Sequence, residues 1–198
     1  MVGPGGFRFL RIDSLDPDLD LLVEEIRAVL RIRDIPATIN FKGIRPGQVF
    51  ERGPYRIKGI SLNHPGGSCG YRIECEGKIV LYLTDTAPMT RPNEGISVDK
   101  APPAPEKRLL QALEGADLVI MDTMFSFDEY LERITWGHAY PEYAVKICEL
   151  ARAKRLVLFH HAPDYSDDIL DDLAAKWAVY ENLDVSVAQE GKVIDLSE

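Results

Sequence analysis

The sequence predicts an α/β protein built on a mixed sheet flanked by helices. In the second half of the chain, short apolar runs of β-forming residues alternate with helical periodicities. In the first half, alternating strand patterns are joined by tight turns, which is how antiparallel pairs read. Composition agrees: 198 residues, 45% of them hydrophobic, are enough to bury one core. No linker-like stretch interrupts the pattern, so residues 1–198 read as one domain.

The elements follow in order. Ser14-Leu-Asp-Pro-Asp18 caps a helix over about 17–32, whose apolar face is Leu19, Leu22, Val23, Ile26, Val29 and Leu30. Short β-prone runs follow at Thr38–Phe41 and Tyr55–Ile60, separated by the turn Arg45-Pro-Gly-Gln48. Gly70–Cys75 alternates, Glu76-Gly77 turns, and Lys78–Thr84 returns as a hairpin partner ending at Asp85. Residues 87–105 form a Pro-rich loop of a length that is often functional. A helix over 106–113 precedes a buried strand over 116–121 that ends at Asp122. Residues 125–133 read as a loop or a turn of helix, 141–152 as a helix opened by Pro141, and 155–159 as a strand ending at His160. A helix over 166–180 and a hairpin over 185–195 around Glu190-Gly191 complete the pattern.

Charge and targeting signals exclude several classes. With 23 Lys and Arg against 32 Asp and Glu, the net charge of −9 offers no footprint for gripping a phosphate backbone, so nucleic acid is disfavoured except as a substrate. No apolar run reaches the roughly 18 residues of a membrane span, and residues 1–9 do not resemble a secretory leader, so a cytoplasmic location without membrane association is expected. Cys69, Cys75 and Cys148 form no Cys-x-x-Cys pair and read as buried thiols rather than disulfides.

Chemistry gathers at the strand ends. His64, His138, His160 and His161, with Asp85 and Asp122, all lie at the end of a strand or in the loop just beyond one. Imidazole and carboxylate are the usual ligands of Zn²⁺, Mn²⁺ or Fe in hydrolytic sites. No Gly-x-Ser-x-Gly elbow competes, and Gly66-Gly67-Ser68 lacks the spacing of a phosphate-binding loop.

Four motifs carry a family resemblance: His64-Pro-Gly-Gly-Ser-Cys-Gly-Tyr-Arg-Ile73, Tyr82-Leu-Thr-Asp-Thr86, Trp136-Gly-His-Ala139 and Leu158-Phe-His-His-Ala-Pro-Asp-Tyr165. In their order and spacing they resemble the metallo-β-lactamase fold hydrolases, and most the branch of ribonuclease Z and the cyclic phosphodiesterase-like proteins. The resemblance implies an αββα sandwich and hydrolysis of a phosphodiester or other ester by metal-activated hydroxide. It implies metal ligation by His64 and His160, with Asp85 bridging two ions. His138 matches the histidine that contacts the scissile phosphate or protonates the leaving group, Asp122 is placed to orient it, and His161 stands behind the ligands.

One departure is large. The family's His-x-His-x-Asp-His string is missing, and the chain resembles the C-terminal two-thirds of the domain. The expectation is therefore one metal ion or none. An apolar face or open sheet edge should be left for a partner chain, such as a second copy, to cover. The alternative is an inactive family member that serves as a binding or interaction module. Phe125, Phe127, Tyr130 and Trp136 are expected to flank the substrate cleft or to pack in the core.

Overall fold

The computed structural model describes residues 44–89 and 104–197. The expected helix over 17–32, the strand over 38–41 and most of the loop over 87–105 lie outside the described residues. By compactness the chain divides into units Met1–Arg45 and Pro46–Glu198, and the second carries everything described below.

Among the described residues its centre is a seven-stranded sheet in sequential order: β1 (Val49–Arg52), β2 (Tyr55–Leu62), β3 (Ser68–Cys75), β4 (Lys78–Leu83), β5 (Leu118–Asp122), β6 (Arg155–Phe159) and β7 (Asp184–Val187). The first three pairings are antiparallel and the last three parallel. The predicted Glu76-Gly77 turn joins β3 to β4, and both residues take the positive φ that a tight hairpin turn needs, 49° and 77°. Reversal at β3 and again at β4 makes β2 run the same way as β4, β5 and β6. The carboxyl ends of those four strands therefore share one edge.

Register explains the core. Leu81, Val119, Leu156 and Val185 are paired in sequence across β4 to β7, as are Leu83, Met121, Leu158 and Val187. Six of these eight side chains have 0% exposure, and full burial of one such side chain is worth about 1.5–3 kcal/mol. Helices α1 (Ala104–Leu113), α3 (Pro141–Leu150) and α4 (Asp167–Ala178) add Leu109, Leu113, Ala144, Ile147, Cys148 and Trp177 to the same core. The alternate residues Val80, Tyr82 and Ile120 on the strands are only partly covered.

Some expectations change. Residues 127–132 form a helix, α2, because Ser126 and Glu129 make a reciprocal capping box at its start. β1 was not foreseen; its Val-Phe-Glu-Arg sequence becomes a strand by pairing with β2 across Gly53-Pro54. The 185–195 hairpin fails: β7 pairs parallel with β6 and Glu190-Gly191 turns, but 192–197 form no strand. Only Cys148 of the three cysteines is fully buried; Cys69 and Cys75 are partly so, and none is in a disulfide.

Candidate metal centre

The shared edge of β2, β4, β5 and β6 collects the polar side chains. His64 lies two residues beyond β2, Asp85 two beyond β4, Asp122 ends β5 and His160 immediately follows β6. Asp85 and His160 both adopt left-handed backbone, with φ of 57° and 60°. Such a conformation costs a non-glycine residue about 1–3 kcal/mol and concentrates at functional sites. Here it turns each chain sharply as it leaves the sheet.

Hydrogen bonds hold the strand tips together. Asn63 N–H donates to Thr86 Oγ1 at 3.3 Å, Ala87 N–H to Asn63 O at 2.8 Å, and Ser68 Oγ–H to the Asp85 carbonyl at 2.7 Å. Thr123 N–H donates to Phe159 O at 2.8 Å, joining β5 to β6 beside His160.

Asp122 is the anchor. Its carboxylate is fully buried and accepts four hydrogen bonds, two per oxygen. Oδ2 accepts from Thr86 N–H (3.1 Å) and from the His138 ring (2.7 Å); Oδ1 accepts from Met124 N–H (3.1 Å) and Ala139 N–H (3.2 Å). A carboxylate so occupied has no lone pair left for a metal. It instead fixes the His138 tautomer, with Nδ1 carrying the proton and Nε2 directed elsewhere. The hydrogen bond to Asp122 raises the His138 pKa above its ordinary value, against the opposing effect of burial.

The remaining groups converge. Donor atoms of His64, Asp85 and His138 all lie within 4.8 Å of one another, and His160 Nε2 is 3.7 Å from Asp85 Oδ1. The His138 ring centroid is 5.4 Å from that of His64 and 5.0 Å from that of His160. Within this set His64 is the one whose tautomer a carbonyl sets. Its Nδ1–H donates to Pro65 O at 2.7 Å, which leaves the Nε2 lone pair for a ligand. The Asp85 carboxylate accepts no hydrogen bond from the described residues. The oriented His64 imidazole, the His160 imidazole and an uncommitted carboxylate have the donor chemistry of a transition-metal site.

Gly137 sets the approach of the His138 loop. Its φ is 98°, and a Cβ there would lie 2.4 Å from His64 Cδ2 and 2.6 Å from Pro65 Cδ. Only a glycine lets this loop lie against the His64 loop.

The structure thus brings together His64, Asp85, His138 and His160, with Asp122 behind His138. His161 follows His160 with its ring turned into the protein: both its nitrogens are buried without a hydrogen bond among the described residues, and burial is the main cause that lowers its pKa. Sequence reasoning did not find the Pro65 carbonyl, Gly137, or the backbone groups of Thr86, Met124 and Ala139. Backbone donors and acceptors carry no residue-type signal. The four aromatics divide: Phe125 and Tyr130 are buried, whereas Phe127 and Trp136 are exposed.

Residues 19–161 match the Beta-lactamase superfamily domain. That is well over half of the chain, and the chain belongs to this family. It is 27% identical over 181 residues to Ribonuclease Z of Thermoplasma acidophilum, a match that covers 85% of this chain and 50% of that protein. The chain therefore spans about half the length of that curated relative. Among solved structures it is similar to the metallo-beta-lactamase fold protein YhfI of Bacillus subtilis, with a TM-score of 0.63 at 20% identity, covering 93% of this chain and 64% of that one. It is also similar to the Zn²⁺-bound PqqB of Methylobacterium extorquens (TM-score 0.61, 17% identity, 94% and 64% covered). The short form of human tRNase Z aligns with a TM-score of 0.60 at 16% identity, covering 98% of this chain and 69% of that one. These likenesses establish the metallo-β-lactamase fold. No helix among the described residues is long and apolar enough to cross a membrane.

Proposed function

We propose that this chain carries the catalytic edge of a metal-dependent hydrolase that cleaves a phosphodiester or other ester. The observation that carries the reading is the Asp85 carboxylate with a His64 donor atom within 4.8 Å and His160 Nε2 at 3.7 Å, and with His138 alongside. His64, Asp85 and His160 would hold a divalent ion, zinc being the first choice by donor type. The chemistry such an ion supplies is a water whose pKa falls from 15.7 to about 7. His138 has a different part. Its proton on Nδ1 is committed to Asp122, so the proton for the leaving oxygen would be carried at Nε2. Asp122, buried and saturated, stabilises the imidazolium without itself taking the proton.

The test is turnover of bis(p-nitrophenyl) phosphate by the purified chain loaded with Zn²⁺ or Mn²⁺. Hydrolysis should be measurable, and His138→Ala should keep the metal while losing roughly 10²- to 10⁴-fold in rate, as expected for removal of a general acid. Metal loss from His138→Ala equal to that from Asp85→Ala would overturn the division of roles. A chain that holds no metal and hydrolyses nothing would favour a binding module instead.

A further inference from the structure

We propose that the exposed indole of Trp136, with Arg133 beside it, is a stacking platform for a planar ring on the substrate, a single nucleobase or aryl group joined to the scissile phosphate. The inference rests on the hydrolytic reading above and adds the substrate class.

The platform is continuous with the site. Trp136 meets Phe125 edge to face at 6.1 Å and 75°, and Phe125 meets His138 the same way at 5.9 Å and 81°. The indole is therefore two ring contacts from the proposed proton donor, within the reach of one nucleotide whose phosphate lies among the histidines. Trp136 is 58% exposed, although tryptophan is normally among the better covered residues. Phe127, Leu131 and Ile134 extend the exposed apolar surface along α2.

The platform is also held at its base. The backbone N–H of Trp136 donates to Arg133 O at 2.9 Å. The Arg133 guanidinium sits 5.7 Å from the indole centroid and 5.3 Å from that of Phe125, and it donates to Glu129 O at 3.3 Å. At the other end of α2 the Ser126–Glu129 capping box is tied to Tyr165, whose hydroxyl donates to the Glu129 carboxylate. An aromatic already fixed in place loses little conformational freedom when a ring stacks on it. Charge sets the size of the ligand. Arg133, partly countered by the exposed Glu132 at 3.8 Å, offers one local cation on a chain of net charge −9. That suits one base and one phosphate rather than a long polyanion.

The chain has two tryptophans, and the other, Trp177, is buried. Emission from Trp136 is thus the difference between wild type and Trp136→Leu, a surface change that leaves the core intact. Without added metal, adenosine 5′-monophosphate should quench wild-type emission saturably, and ribose 5-phosphate should not. Trp136→Leu should lose the quench and bind the nucleotide about fivefold or more weakly by calorimetry, with Trp136→Phe between the two. Equal nucleotide affinity in Trp136→Leu, or equal quenching by ribose 5-phosphate, would overturn the platform. So would a Trp136 emission that shifts with protein concentration alone, which would assign this face to a second copy of the chain. With metal loaded, turnover of bis(p-nitrophenyl) phosphate at unchanged KM in Trp136→Leu would refute the platform. Absence of turnover in the wild type would instead refute the hydrolytic reading on which it rests.

Discussion

Asp122 shows how one buried residue organises the candidate site. Its four hydrogen bonds bind the tips of β4 and β5 and the His138 loop to a single carboxylate. Removing it leaves three backbone N–H groups and one imidazole N–H without their acceptor, each costing about 1–3 kcal/mol if still buried. Partial rehydration reduces the sum. Asp122→Ala should therefore lose roughly 3–5 kcal/mol of stability in urea unfolding, the range for breaking a buried charged network; a loss below about 1 kcal/mol would show that the network is not structural. Gly137 acts through space rather than bonding. Gly137→Ala must relieve contacts of 2.4 and 2.6 Å and adopt a φ of 98°, so more than about 1 kcal/mol should be lost. The His64 imidazole resonances should shift with it. An unchanged spectrum and melting temperature would contradict the close approach of the two loops.

At the scale of elements, α1 and α3 meet through a buried acid. Glu106 on α1 is fully buried; its Oε1 accepts from Tyr143 O–H on α3 at 3.0 Å, and its Oε2 has no partner among the described residues. Burial raises its pKa above the usual 4.5, and the Tyr143 hydrogen bond only partly opposes this. The sign follows from linkage. A raised folded-state pKa means that the full contribution is present below the unfolded value and is lost as pH rises through the folded one. Glu106→Gln, which cannot ionise, should remove that loss, so its stability relative to wild type should grow from pH 4 towards neutrality. A parallel pH profile for the two proteins would contradict the burial of an ionisable acid.

Elements also explain what the sequence made legible. β5 and β6 were readable because strands buried on both faces are nearly continuous apolar runs, as in Leu118–Met121 and Leu156–Phe159. β1 was not, since Val-Phe-Glu-Arg gains its strand conformation from pairing with β2 rather than from composition. The 185–195 hairpin had a turn signal but lacked a return strand able to bury apolar side chains; Val193 is 89% exposed. The strand-end placement of the candidate residues His64, Asp85, His138 and His160 was legible because it follows from the apolar runs that precede them. Their supporting contacts were not, because these run through carbonyls, amides and a glycine.

Across the whole molecule, one geometric fact makes the site possible. Two reversals in the first half of the sheet and three parallel pairings in the second send the ends of β2, β4, β5 and β6 to the same edge. Groups 21 to 74 residues apart in sequence, His64, Asp85 and His138, then meet within 4.8 Å, and parallel sheets place ligand sites at such carboxyl ends. On the proposed function, His64, Asp85 and His160 would hold the ion. Metal content measures this directly. After equilibration with limiting Zn²⁺ and desalting, elemental analysis of the purified chain should find zinc retained by the wild type and lost from Asp85→Ala. Zinc absent from the wild type, or retained equally by both, would contradict the account.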